Sequence, residues 1–286
     1  MADLAGNLQK AKPKMRIGIV GFGHLGKYLY EAISTRDDLE VAFVWNRSKE
    51  SMEGKIEEQL ILTDLNLCAE RKADLIVEVA HPAVIKQYGL ALLNAADLMI
   101  GSPTVLANSD VEERLRAKAE KGPHAVYVPS GALWGGENIK KMADRGTLKG
   151  LKITMRKHPS CFKLVDPLES KAKEKYQQNP DMPTILYDGP VRGLCPLAPN
   201  NVNTMAAAAT AAHNLGFDVV QGCLVADTSL NAHIVEVDVT GLNGFTVKTV
   251  RTNPSAPGAV TGNATFASFL SSILRAHDKG PGVHLC

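Results

Sequence analysis

The strongest constraint on this chain is a glycine-rich turn that follows a short apolar run. Arg16-Ile17-Gly18-Ile19-Val20 reads as a buried strand, and Gly21-Phe22-Gly23-His24-Leu25-Gly26 comes directly after it. Leu25, Leu29, Ala32 and Ile33 then fall on one face at helical spacing. A G-x-G-x-x-G pattern between a strand and a helix is the pyrophosphate-binding turn of a dinucleotide site. Gly21 allows the tight turn, Gly23 lets a phosphate approach the backbone, and Gly26 lets the helix pack on the strand. The helix N-terminus offers unpaired N–H groups and a positive dipole end. All six residues, from Gly21 through Phe22, Gly23, His24 and Leu25 to Gly26, are therefore candidate cofactor contacts.

Further buried strands are expected at Val41–Trp45, Leu75–Val79, Leu98–Ile100 and Ala125–Val128, with helical segments between them. This alternation is that of βαβ units and predicts a doubly wound parallel sheet, the Rossmann architecture. Near residue 150 the texture changes. Leu151, Ile153 and Met155 alternate with Lys152, Thr154 and Arg156, the mark of an antiparallel strand with one wet face. An Ala-rich helix from Asn203 to Leu215, strands at 218–226 and 232–240, and an Asn243-Gly244 hairpin into Phe245–Val250 complete an α+β second domain for substrate binding and dimerisation. Residues 166–183 are charged and bounded by prolines, so a loop or short exposed helix is expected there. The expected divisions are a disordered tail over 1–14, the cofactor domain over 15–135, the α+β domain over 136–262, and a C-terminal helix and tail over 263–286.

The end of the second strand selects the cofactor. A carboxylate there would favour NAD by accepting from the ribose hydroxyls. Here the strand ends in Asn46-Arg47-Ser48, with no acid to repel a 2′-phosphate. Arg47 can pair with that phosphate and Ser48 can donate to it. NADP is expected as the preferred cofactor, with NAD tolerated. Loops at the carboxyl ends of other strands should line the same crevice, which adds Ala80, His81, Ser102 and Ala132. Gly135 and Gly136 precede a helix, so their N–H groups are candidates for a substrate carboxylate.

Composition removes several classes of function. Net charge is +2 with acids and bases interspersed, and aromatics are 5% of residues, so nucleic acid is not expected as a partner. Lys10-Ala11-Lys12-Pro13-Lys14 reads as a solvated tail. No run of about 18 apolar residues exists to span a membrane, and the first 14 residues lack the apolar core of a signal peptide. The five cysteines, at 68, 161, 195, 223 and 286, form no CxxC pair. Free thiols, no metal site and a cytoplasmic location follow as expectations.

Of the eight histidines, His233 is the strongest catalytic candidate. It shares strand parity with Asn231, Val235, Val237 and Val239, at the polar end of an otherwise apolar face. There an imidazole can be partly desolvated and poised for proton transfer. The same position also suits a core histidine satisfied by a carbonyl. Asn231 is taken with it as a candidate substrate contact.

Arg16–Gly26, Pro129–Gly136, Pro199–Ala207 and Ala226–Val239 together resemble the L-aspartate dehydrogenase family, in its vertebrate-type branch. The combination of Ser-Gly-Ala, Asn-Val-Asn and Asn-Ala-His is more specific than the glycine turn alone. The resemblance implies that Ala132 contacts the cofactor through its backbone, that Asn203 lies near the nicotinamide, and that His233 is the active-site histidine. It implies NAD(P)-dependent oxidation of L-aspartate to iminosuccinate, then oxaloacetate and ammonia. The small-molecule substrate would be held by donors at Gly135 and Gly136 and by a cation, for which Lys157 is a candidate. Fold analogy adds a homodimer. Two segments depart from bacterial relatives: Gly136 is followed by Glu137-Asn138, and Thr261 by Gly262. They leave open a dehydrogenase or reductive aminase acting on another amino or oxo acid, or an NADP(H)-binding sensor without catalysis.

Overall fold

A computed structural model describes residues 13–178, 182–255, 258 and 264–286; the expectations for residues 1–12 and for Thr261 and Gly262 lie outside these. Seven strands form an all-parallel sheet: β1 (Met15–Val20), β2 (Leu39–Trp45), β3 (Ile61–Leu62), β4 (Leu75–Glu78), β5 (Asp97–Ile100), β6 (Val126–Val128) and β12 (Val283–Leu285). Their order is β12-β6-β5-β4-β1-β2-β3. β1 lies between β2 and β4, so strand order reverses there, and the crevice at that switch point is where such sheets take ligands. Helices α1 (His24–Ser34), α2 (Pro82–Ala95) and α3 (Ser109–Lys121) make the crossovers. Ile17, Ile19, Leu75, Ile76, Val77, Leu98 and Met99 are all fully buried, as strands covered on both faces require.

Helix α4 (Gly136–Asp144) leads into a second sheet of five strands, ordered β11-β10-β7-β9-β8. These are β7 (Leu148–Lys157), β8 (Thr184–Pro190), β9 (Gln221–Ala226), β10 (Ala232–Gly241) and β11 (Thr246–Pro254). Between them run α5 (Leu168–Gln178), α6 (Val191–Leu194), α7 (Asn203–Ala211) and α8 (Gly216–Val219). The inner face of this sheet packs on α7: the Cβ that Gly222 lacks would sit 2.8 Å from the Met205 sulfur. Finally α9 (Ala264–Ile273) returns to the first sheet, burying Phe269 and Ile273 among Ile17, Leu29 and Val77.

Several local expectations are corrected. β7 is antiparallel to β10 but parallel to β9, so the second sheet is mixed; a long crossover through α7 permits the parallel pair. The 166–183 segment contains an eleven-residue helix, α5, that buries Leu168 and Ala172 four positions apart. The strand expected from 218 begins at Gln221, after the single turn of α8. The Ala-rich helix stops at Ala211, before Gly216 takes its left-handed φ of 65°. At the hairpin, Asn243 and Gly244 have φ of 53° and 79°, as an Asn-Gly turn requires.

Candidate active site

The glycine turn is built for close approach. Gly21 has φ 117°, and a Cβ on it would lie 2.9 Å from the Ala80 backbone. A Cβ on Gly26 would strike the Gly21 carbonyl oxygen. Gly23 differs, since a Cβ there would meet no atom within 4 Å. Its missing side chain leaves open space at the start of α1, whose first turn has no acid and no side-chain cap. The N–H groups of that turn therefore have no side-chain cap among the described residues, as a pyrophosphate site needs. Leu25 is half-buried and lines the cleft, and His24 is exposed beside the turn. Phe22 is buried edge-on against Tyr30, so only its backbone faces a ligand.

Asn46 braces this turn. Its Oδ1 accepts from Phe22 N at 3.2 Å, while Nδ2 donates to Ser51 Oγ at 2.8 Å. Arg47 is exposed. The Ser48 hydroxyl donates to Glu50 Oε2 at 2.6 Å, and that bond holds the Glu50 carboxyl below its usual range.

Glu78, at the end of β4, is fully buried. Its Oε1 accepts from Ala80 N at 2.7 Å and from Ser102 Oγ at 3.0 Å, and Oε2 accepts from Ser102 N at 3.0 Å. Burial pushes this carboxyl up, against the pull of those donors. The crevice loops after β4 and β5 are thus tied to one side chain. Ser102 is buried in this tie, while Ala80 and His81 are exposed, and His81 Nδ1 caps α2 by accepting from Ala83 N at 3.2 Å.

The main cleft lies between the two sheets. Pro129, Ser130, Gly131 and Ala132 line one wall, from the loop after β6. The other wall is the end of the second sheet. His233 pairs in register with Asn253, and Val235 with both Arg251 and Met155. Directly opposed residues point to the same face. Lys157 lies one residue beyond the Ile234–Arg156 pair, which completes two rows: Lys157, His233 and Asn253, then Met155, Val235 and Arg251. All six line the cleft. His233 is 7% exposed and Lys157 4% exposed. Burial pulls the Lys157 ammonium down to about 8, with Cys161 acting in the opposite direction. Asn203, in the first turn of α7, presents an Oδ1 that is buried without a hydrogen-bond partner among the described residues. That orphaned acceptor fits an amide donor such as the carboxamide of a nicotinamide.

Five of the residues expected at the site converge here. Leu25, Ala132, Lys157, Asn203 and His233 line the cleft together. Gly135 and Gly136 do open α4, with Gly135 at φ 80°, but they are not among the lining residues, and Gly136 is packed against Leu285. Asn231 lies before β10, is exposed, and does not line the cleft. Arg251 and Asn253 were not anticipated, because the strand was expected to end at Val250; period-2 parity carried two rungs further would have found them. Glu78 gave no signal, since an acid inside an apolar run reads as an ordinary strand residue. Among the described residues, no group of three or more His, Cys, Asp or Glu could hold a metal ion. No helix among them is long and apolar enough to cross a membrane.

Comparison with known proteins agrees with this geometry. Residues 138–272 match the family model described as aspartate dehydrogenase, C-terminal, and residues 21–129 match the NAD binding domain of homoserine dehydrogenase. An aspartate dehydrogenase domain-containing protein of Xenopus tropicalis is 52% identical, with 96% of this chain and 98% of the relative covered. One of the same description from Danio rerio is 49% identical, covering 96% of this chain and all of the relative. The crystal structure of aspartate dehydrogenase from Thermotoga maritima shares the fold, with a TM-score of 0.69 at 21% identity over 93% of this chain and 97% of that one. With half its residues shared with relatives aligned over nearly their whole length, the chain belongs to the aspartate dehydrogenase family and has the two-domain fold of an NAD(P)-dependent dehydrogenase.

Proposed function

We propose that the protein oxidises L-aspartate with NADP⁺ in preference to NAD⁺, releasing ammonia and oxaloacetate by way of iminosuccinate. The observation that carries this reading is the convergence of His233, Lys157 and the Asn203 amide on one cleft, lined also by Leu25 of the glycine turn. When bound, the nicotinamide supplies the hydride acceptor for the substrate Cα. The glycine turn and the N-terminus of α1 would hold its pyrophosphate, and Asn203 would accept from its carboxamide. Arg47 supports the NADP preference as an exposed cation at the ribose edge. Ser48 supports it less, because its hydroxyl is already bonded to Glu50.

The chain's own residues account for the remaining steps. The substrate amine must be neutral before hydride can leave Cα, so a base takes its proton; His233 holds that role. Once that proton has passed to solvent, the neutral imidazole orients and deprotonates the water that adds to the imine carbon, and it returns this proton to the nitrogen that leaves as ammonia. Lys157 pairs with a substrate carboxylate. That anion would favour the charged ammonium and so counter the depression caused by burial. Met155, Val235 and Phe269 make the walls apolar and exclude bulk water, which strengthens each of these interactions.

The outer face of the second sheet, where Ile185 and Val250 are exposed, supports a homodimer through this domain. Free thiols on all five cysteines support a reducing, cytoplasmic setting. Purified protein with L-aspartate and each cofactor in turn tests the function. Reduced nicotinamide and ammonia should form in equal amounts, faster with NADP⁺. Cofactor binding without turnover in either direction would overturn the proposal.

A further inference from the structure

The lining of the cleft carries an electrostatic bias that points to its ligand. Among the described residues it contains Lys157, Arg251 and His233 but neither Asp nor Glu. Arg251 is half-buried on β11, directly opposite Val235. It therefore stands two residues along the strand from the row of Lys157, His233 and Asn253, a separation of about 7 Å at the usual strand rise. Its Nη1 donates to the Gly131 carbonyl at 3.2 Å, which lays the guanidinium across the cleft against the loop that carries Ala132. Apart from the Gly131 carbonyl, Arg251 has no hydrogen-bond or ion-pair partner among the described residues. A planar guanidinium with free donors in a partly desolvated cleft is suited to a carboxylate, which it can grip through two parallel bonds.

We infer that the cleft selects a short acid with two carboxylates, and that Arg251 is the specificity residue that holds the carboxylate distal to the reacting carbon. This rests on the reading of Lys157 and His233 as the reacting end of the site. In the same row as Arg251, Met155 and Val235 offer apolar surface for a methylene. An amino acid with a neutral side chain would leave Arg251 facing the cleft without a counter-charge. A site built to bond a polar group discriminates strongly against analogues that lack it.

The test uses NADPH-loaded full-length protein and two non-reacting probes, succinate and butyrate, with binding measured by titration calorimetry. Succinate should bind the wild type roughly 10- to 100-fold more tightly than butyrate, the range for hydrogen bonds to a charged group. Arg251→Met should reduce that ratio to a few-fold while leaving butyrate and NADPH binding similar. Arg251→Lys should keep part of the selectivity, and unchanged NADPH affinity in both variants shows that they fold. Equal binding of the two probes to wild type, or equal loss of both in Arg251→Met, would overturn the inference. If succinate selectivity depends on Arg251 but L-aspartate is not oxidised, the inference stands and the proposed substrate falls. If L-aspartate is oxidised with unchanged KM in Arg251→Met, the reaction stands and the inference falls.

Discussion

Glu78 and Ser102 are joined twice: one carboxylate oxygen accepts from the Ser102 backbone N–H and the other from its hydroxyl. The same side chain also accepts from Ala80 N, so one carboxylate ties together the crevice loops after β4 and β5. Glu78→Gln replaces one acceptor with a donor and leaves at least one of these groups unpaired in the interior. The expected cost is about 1–3 kcal/mol, or roughly 2–4 °C in Tm per kcal/mol for a chain of this size. Cofactor affinity should fall with it, as read by NADPH fluorescence titration. Unchanged stability and cofactor affinity would show that the tie has no such role.

Lys157 makes stability depend on pH in a defined direction. Its folded-state value of about 8 lies below its ordinary 10.5 because burial disfavours the charge. Below about 8 both folded and unfolded states carry the proton, and the folded state bears the full cost of the buried ammonium. Between about 8 and 10.5 the unfolded chain still holds the proton and the folded chain has released it, so this residue's destabilising effect shrinks as pH rises. Lys157→Met should therefore be more stable than wild type at pH 7, by an amount on the order of 3 kcal/mol. That gap should close as pH approaches 10.5 in parallel denaturant titrations. A gap independent of pH would mean that Lys157 is charged in the fold throughout.

His233 separates chemistry from binding. Replacing it with Asn or Ala removes the proposed proton acceptor without touching the glycine turn. Turnover with L-aspartate should fall by roughly 10²- to 10⁴-fold, with NADPH affinity nearly unchanged. Unaltered kcat would remove the imidazole from the mechanism.

Arg47 should govern cofactor choice rather than rate. Arg47→Ala removes the cation offered to a 2′-phosphate, and the ratio of kcat/KM for NADP⁺ over NAD⁺ should drop by roughly 10-fold or more, the scale of a charge-assisted hydrogen bond. The value for NAD⁺ alone should barely change. Equal losses with both cofactors would mean that Arg47 does not read the phosphate.

The parts of this molecule that were legible in its sequence are those where one physical signal dominates. Ile17, Ile19 and Leu75–Val77 announce buried parallel strands because both faces of each are covered. Gly21, Gly23 and Gly26 are readable because each spacing answers a separate steric demand. The strands that escaped notice are those whose partners are remote. Val283–Leu285 is too short to show a period, and it is a strand only because it pairs with Val126–Val128 at the sheet edge. β8 ends in Pro190 and buries only Leu186, so its alternation is weak. Residues joined to the site by register across β10 and β11 also escaped. Parity identifies His233 and Lys157 is a candidate cation from sequence, but Asn253 and the neighbouring Arg251 come into alignment with them only once the strands are paired.

The central claim is that hydride leaves the α-carbon of L-aspartate at this cleft. Its most direct test is mass spectrometry of the reduced cofactor after incubation with L-aspartate deuterated at that carbon. Wild-type protein should yield reduced nicotinamide carrying one deuterium per turnover, and His233→Asn should give the same label at a much lower rate. Reduced nicotinamide without deuterium, or no reduction at all, would contradict the proposed reaction.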